Sequence, residues 1–165
     1  MTPQTILKSK FGYDTFRAGQ EDIINTILER QNVLAIMPTG GGKSICYQVP
    51  ALLEDGITLV ISPLISLMKD QVDALNENDI PATFINSTLD YPEIAARLAQ
   101  VERQEVKLLY VSPERLDSGY FERLAQLPVS LVAIDEAHCI SQWGHDFRPS
   151  YLRLTEIIKQ LPSHP

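Results

Sequence analysis

The 165-residue sequence has only two cysteines, Cys46 and Cys139. They lie far apart, without the close pairing of a zinc knuckle or redox motif, and two alone frame no disulfide scaffold. They read as buried thiols. No apolar run approaches the roughly 20 residues that a bilayer span requires. The opening Met1-Thr2-Pro3-Gln4-Thr5 lacks the basic-then-apolar pattern of a secretory leader. The expected address is cytoplasmic, nucleoid-associated if the source is bacterial. A basic excess is missing too: the net charge is -7, against a generally basic nucleic-acid binder. The acidity is uneven, however. Residues 51–100 hold eight acidic side chains against two basic ones, whereas residues 1–50 hold four against five.

What is present suits a folded core, with 44% hydrophobic and 21% charged residues. The length suits one domain, 1–165. Five short, β-branched-rich apolar runs recur, at 33–37, 57–61, 82–85, 107–111 and 131–134. They are nearly continuous and not alternating, as strands covered on both faces are. Helical spacing separates them: Ile23, Ile24, Ile27 and Leu28; Leu64, Leu67, Met68, Val72 and Leu75; Ile94, Leu98 and Val101; and finally Leu154, Ile157 and Ile158. This alternation predicts an α/β fold, three layers with a mostly parallel sheet and helices on both faces. Glu54-Asp55-Gly56 and residues 76–81 stop two helices, and Ser-Pro pairs open two others. The tail ends after a helix where an open sheet of this kind would continue, so a C-terminally truncated lobe is expected.

The sharpest feature is Met37-Pro38-Thr39-Gly40-Gly41-Gly42-Lys43-Ser44, between a predicted strand and an apolar helix. Small residues let backbone N–H groups surround phosphate oxygens, and the helix N-terminus adds partial positive charge. In such a loop Lys43 reaches the β/γ-phosphates and Ser44 ligates Mg²⁺, with Thr39, Gly40, Gly41 and Gly42 lining the phosphates. Met37 stands where the strict pattern has glycine. A second site follows the run 131–134: Asp135 and Glu136 at the carboxyl end of a buried strand, where doubly wound sheets bind ligands. Asp135 suits Mg²⁺, partly through water, and Glu136 suits activation of the attacking water. His138 is either a coupling residue or a packed or hydrogen-bonded histidine. No zinc is expected, since His-Glu-x-x-His is absent.

Together with Ser141-Gln142-Trp143-Gly144-His145-Asp146-Phe147-Arg148-Pro149-Ser150-Tyr151, the glycine loop and Asp135-Glu136-Ala137-His138 resemble the RecQ family of DNA helicases. The likeness runs from about Phe11 to Tyr151. It implies a RecA-like, DEAH-box motor lobe of a superfamily 2 enzyme, an ATP-dependent 3'-to-5' DNA helicase of recombination and repair. It also implies ATP and Mg²⁺ as cofactors, and DNA and a second motor lobe as partners. Upstream, residues 11–20 resemble the adenine-recognition segment of such helicases. Gln20 would bond the base edge, and Tyr13 and Arg17 would stack on or flank the ring. The alternative is that Phe11 and Phe16 are core and Gln20 merely begins a helix.

Ser62, Pro63, Leu64 and Ser66, with Ser112 and Pro113, resemble the DNA-facing motifs of the first lobe. Each Ser-Pro pair would cap a helix and offer N–H groups to DNA phosphates, reconciling DNA binding with net acidity. Asn86 and Ser87 would contribute likewise. Gln142, Trp143, His145, Phe147 and Arg148 form an aromatic-rich stretch suited to stacking on single-stranded bases, or to covering a sheet edge. The second lobe, its arginine motif and the zinc and winged-helix regions of longer relatives have no match. Little turnover is therefore expected of this chain alone. The competing reading is a non-catalytic module that binds nucleotide or single-stranded DNA. Everything rests on Lys43 and Asp135 serving a shared magnesium triphosphate.

Overall fold

The structure is a computed structural model that describes residues 1–38, 40, 42–116, 119–140, 148–161, 163 and 165. Where sequence length suggests one lobe, the chain divides into two compact units, Met1–Asp55 and Gly56–Pro165.

The first unit holds three helices: α1 (Pro3–Phe11), α2 (Gln20–Leu28) and α3 (Ile45–Leu53). The Thr2 hydroxyl accepts from Thr5 N–H to cap α1, Pro3 occupies its first turn, and Gly12 ends it at φ 74°. Ile6, Leu7, Ile24, Ile45 and Val49 form the core, with Phe11, Phe16 and Leu28 packed against it. The helix expected after the glycine loop is α3. It stops before Glu54, as the breaker at 54–56 predicts.

The strand expected at 33–37 is not formed. Those residues have no regular secondary structure, and Leu34 and Ile36 are 81% and 91% exposed. The sequence carries the β propensity, but a strand is stable only with a ladder partner, and these residues have none in the sheet.

The second unit is a four-stranded parallel sheet in the order β2-β3-β1-β4, with β1 at Ile57–Ile61, β2 at Ala82–Ile85, β3 at Leu108–Val111 and β4 at Val129–Ile134. Helix α4 (Ile65–Glu77) joins β1 to β2, and α5 (Tyr91–Glu102) joins β2 to β3. Two short helices, α6 (Pro113–Leu116) and α7 (Phe121–Ala125), precede β4. Two 3-10 turns, Ala137–Ile140 and Pro149–Arg153, lead to α8 (Leu154–Lys159). Asp90 and Glu93 form a reciprocal capping box at the start of α5. Every residue of β1, β2 and β3 is buried, which requires cover on both faces; β4, at the edge, is only partly buried. One face packs Ile57, Leu59, Ile61, Leu109 and Val111 against Ile94, Leu98 and Val101 of α5 and against Leu154 of α8. No helix among the described residues is long and apolar enough to cross a membrane.

The β1/β4 register slips at its start: Ile57 pairs with Val129, but Thr58 pairs with Leu131, so Ser130 is the extra residue of a bulge. Gly56 sits against this bulge. A Cβ there would lie 2.1 Å from the Pro128 carbonyl oxygen, a backbone atom that also accepts from Ile57 N–H at 2.9 Å. Gly56→Ala is expected to lower the unfolding free energy by about 1–3 kcal/mol, the usual cost of overpacking. Chemical denaturation measures it, and an unchanged midpoint would mean that the Pro128 carbonyl has room to move.

Candidate functional site

In the first unit, the segment before α2 is tied to the glycine loop. The Gln20 side chain, 3% exposed, accepts from Arg17 N–H at 2.8 Å and donates to the Gly42 carbonyl at 3.0 Å. The Arg17 guanidinium donates to the Gly40 carbonyl. Two loop carbonyls are thus occupied by residues 17 and 20. Gly40 and Gly42 have φ of 76° and 77°, a region that disfavours side chains, and a Cβ on Gly42 would meet Gln20 Nε2 at 2.4 Å. Lys43 is exposed at the mouth of α3. Ser44 is the N-cap residue of α3, yet its hydroxyl makes no capping bond. Thr39 and Gly41 lie outside the described residues.

Residues 11–20 are divided between core and surface. Phe11 and Phe16 pack on the core and Gln20 opens α2, as the packing alternative holds. Tyr13, 54% exposed, and Arg17 remain at the surface. Cys46 is buried, and desolvation raises its thiol pKa, which keeps it neutral.

In the second unit, four residues singled out from the sequence each stand one position beyond a strand: Ser62 after β1, Asn86 after β2, Ser112 after β3 and Asp135 after β4. The strand registers align them in a row, since Ile61 pairs with both Val111 and Ile134, and Ile85 pairs with Val111. Backbone bonds continue across that row. Asp135 N–H donates to Ile61 O at 2.8 Å, Ser62 N–H to Val111 O at 3.1 Å and Ser112 N–H to Ile85 O at 3.3 Å.

This arrangement corrects the expected use of the Ser-Pro pairs. Ser62 and Ser112 are buried and their N–H groups belong to the sheet ladder, so neither amide is available to a phosphate. Ser62 Oγ accepts from Leu64 N–H at 3.2 Å, and α4 begins only at Ile65 with Leu64 as its cap residue, so Pro63 precedes the helix instead of opening it. Pro113 does open α6, but the buried Ser112 hydroxyl has no hydrogen-bond partner and caps nothing. Asn86 is also buried: its carbonyl accepts from Thr88 N–H at 2.9 Å, and its amide lies 3.5 Å from Met68 Sδ. Of the expected DNA-facing residues, Leu64, Ser66, Ser87 and Arg148 are exposed. Gln142, Trp143, His145 and Phe147 lie outside the described residues.

The acidic pair has a defined turn. Asp135 Oδ1 accepts from Glu136 N–H at 3.0 Å, and Glu136 adopts φ 54°. A left-handed non-glycine residue costs roughly 1–2 kcal/mol, so the surrounding bonds must hold it. Glu136 O accepts from Cys139 N–H at 2.9 Å, and His138 Nδ1 lies 3.3 Å from Glu136 Oε2. His138 thus lies beside Glu136, a contact common to a coupling role and to a merely hydrogen-bonded histidine, and its side chain is half-exposed.

Sequence reasoning did not anticipate Tyr151 as a strut. Its ring is 1% exposed and its hydroxyl donates to the Asp135 carbonyl at 2.9 Å. Burial is the main cause raising the phenol pKa, so the hydroxyl remains a donor. The only sequence signal was an aromatic at the end of the family-like string. Nearby, Glu114 of α6 faces Arg148 at 4.0 Å and Ser150 Oγ at 3.5 Å.

Over 164 residues the chain is 57% identical to the ATP-dependent DNA helicase RecQ of Bacillus subtilis, covering 98% of the chain and 28% of that relative. It is 52% identical to the protein of the same name from Haemophilus influenzae, covering 99% of the chain and 27% of the relative. The chain thus spans little more than a quarter of the length of these relatives. The crystal structure of a DUF1998 helicase, MrfA, superposes with a TM-score of 0.71 at 22% identity, over 96% of this chain and 26% of that one, a likeness of fold. The DEAD/DEAH box helicase profile matches residues 17–164, and because that span takes in both the glycine loop and the acidic pair, the chain belongs to the DEAD/DEAH box helicase family.

Proposed function

We propose that the chain is the first motor lobe of an ATP-dependent DNA helicase of the RecQ type, whose complete form couples ATP hydrolysis to 3'-to-5' strand separation in recombination and repair. The observation that carries this reading is the Asp135-Glu136 turn. One carboxylate is locked by the next amide, and the other stands on a left-handed backbone beside His138, at the carboxyl edge of a parallel sheet.

The residues fit a magnesium nucleotide. Mg²⁺ is usually bound by one or two carboxylates, with substrate phosphates and waters filling its octahedron. Ser44 and Asp135 would hold the ion, which when bound neutralises charge on the β- and γ-phosphate oxygens. Lys43 pairs with the same phosphates, and Thr39, Gly40, Gly41 and Gly42 surround them. Glu136 orients the attacking water and accepts its proton as the bond from the γ-phosphorus to the bridging oxygen breaks, releasing ADP and phosphate. His138, next to Glu136, links that proton acceptor to events outside the nucleotide site.

Tyr13 and Arg17 flank the adenine ring. Gln20 keeps one amide N–H and one carbonyl lone pair beyond its bonds to Gly42 and Arg17, enough for one base edge. DNA runs over the exposed Leu64, Ser66, Ser87 and Arg148, and Trp143 and Phe147 stack on its bases. The second lobe supplies the arginine that stabilises charge on the transferring phosphate, so the chain by itself turns over slowly.

The test is ATPase with and without single-stranded DNA, on the complete helicase and on this chain. Glu136→Gln is expected to lower DNA-stimulated kcat by about 10²–10⁴-fold, the range for loss of a general base. Lys43→Ala is expected to abolish turnover together with most triphosphate affinity. A complete protein whose turnover ignores both changes would refute the motor reading. For the base, Gln20→Ala should weaken ATP roughly tenfold, about the worth of one hydrogen bond, and GTP much less. Equal losses in titrations with both nucleotides would remove the adenine role and leave Gln20 as a loop brace.

A further inference from the structure

The Asp135-Glu136 turn is held from both sides. On the sheet side, Asp135 N–H is bonded to Ile61 O. On the other, the Asp135 carbonyl takes the Tyr151 hydroxyl at 2.9 Å, although 16 residues separate the two. That carbonyl heads the peptide whose N–H belongs to Glu136 and donates to Asp135 Oδ1. A donor fixed on the carbonyl therefore fixes the plane of the peptide that sets Glu136 at φ 54°. The Tyr151 ring is buried, in the cluster that includes Val111, Leu116, Cys139 and Leu154, so its hydroxyl has little freedom to leave. Backbone bonds anchor the tyrosine further: its N–H donates to Arg148 O at 3.0 Å, and Arg148 N–H donates to Cys139 O at 2.9 Å. Cys139 N–H in turn donates to Glu136 O. The result is a closed ring of bonds, from Asp135 through Tyr151, Arg148 and Cys139 back to Glu136.

We infer that Tyr151 is a positioning residue for hydrolysis, acting through the Asp135 carbonyl to hold Glu136 in its left-handed, water-activating conformation. Its hydroxyl acts on the Asp135 carbonyl alone. Because it reaches the acidic pair from the far end of the chain segment that begins after Ile140, a displacement of Arg148 or Tyr151 is transmitted to Glu136 as a rotation of one peptide. The inference rests on the assignment of Glu136 made above.

Tyr151→Phe removes the hydroxyl and keeps the ring. In the complete helicase with saturating single-stranded DNA, it is expected to lower kcat about tenfold. KM for ATP should stay within twofold, and the thermal midpoint within a few degrees. Because Tyr151 acts only through Glu136, Tyr151→Phe combined with Glu136→Gln is expected to be no slower than Glu136→Gln alone. An unaltered kcat, or a loss in the double variant equal to the product of the two single losses, overturns the inference. So does a fall in kcat matched by the same fall in folded fraction. A readout free of any substitution is hydrogen exchange in the unmodified protein. The Glu136 amide should be protected at least tenfold over an open turn, and exchange at the open-turn rate overturns the inference. Glu136→Gln alone separates the two failures: if it leaves turnover intact, the motor assignment fails, whereas an inactive Glu136→Gln beside a fully active Tyr151→Phe defeats only the role of Tyr151.

Discussion

The parallel ladder does not stop where the strands do. Three backbone bonds, from Asp135 to Ile61, Ser62 to Val111 and Ser112 to Ile85, carry it one residue past the ends of β4, β1 and β3. The rest of the second unit depends on that extension. It turns four separate loops into one row whose spacing is the spacing of strands, about 4.8 Å. Residues so joined cannot drift independently. A shift of one strand end is felt by its neighbour, because the amides of Asp135, Ser62 and Ser112 each have their carbonyl on the next strand. Asp135, Ser62, Asn86 and Ser112 therefore share one rim, built from backbone and not from side chains.

The rim also shows why burial and sequence motif point different ways. Ser62, Asn86 and Ser112 look like surface ligands in the sequence, being polar, next to turns and after strands. Their positions at the rim bury them instead. Asn86 spends its carbonyl on the Thr88 amide and Ser62 spends its oxygen on Leu64, so these side chains shape the turns that leave the sheet. Outward contact passes to the residues those turns present, Leu64, Ser66 and Ser87.

Much of the architecture was legible beforehand. The runs at 57–61 and 82–85 coincide with β1 and β2, and the helical spacings around Ile24, Val72, Leu98 and Ile157 fall in α2, α4, α5 and α8. Runs with cover on both faces carry their own signal, because nearly every position is apolar, Thr58 and Thr83 being the exceptions in β1 and β2. The run at 33–37 carries the same signal and forms no strand, since composition records the wish to be covered and not the partner that covers it. The short α7 escaped notice because five residues are too few to show a period, whereas α6 was announced only by the Ser112-Pro113 pair at its start. At the site, residue types with distinctive chemistry were readable: lysine and serine after glycines, and paired carboxylates after a strand. The bonds of Gln20 and Arg17 to loop carbonyls, and of Tyr151 to Asp135, were not. They join side chains to backbone atoms, which all residues share, so no letter of the sequence announces them.

The bulge at Ser130 reaches further than the bottom of the sheet. Beyond it, every residue of β4 sits one place earlier against β1 than an unbroken count from Val129 would give. Since side chains alternate between faces along a strand, that single surplus residue determines the parity of everything downstream. With it, Asp135 is the first residue beyond Ile134 and meets Ile61. In an unbroken ladder Asp135 would fall a step further out. A lone serine at the entrance of β4 thus sets the phase with which Asp135 leaves the strand at its exit, and Gly56 lies against that same serine.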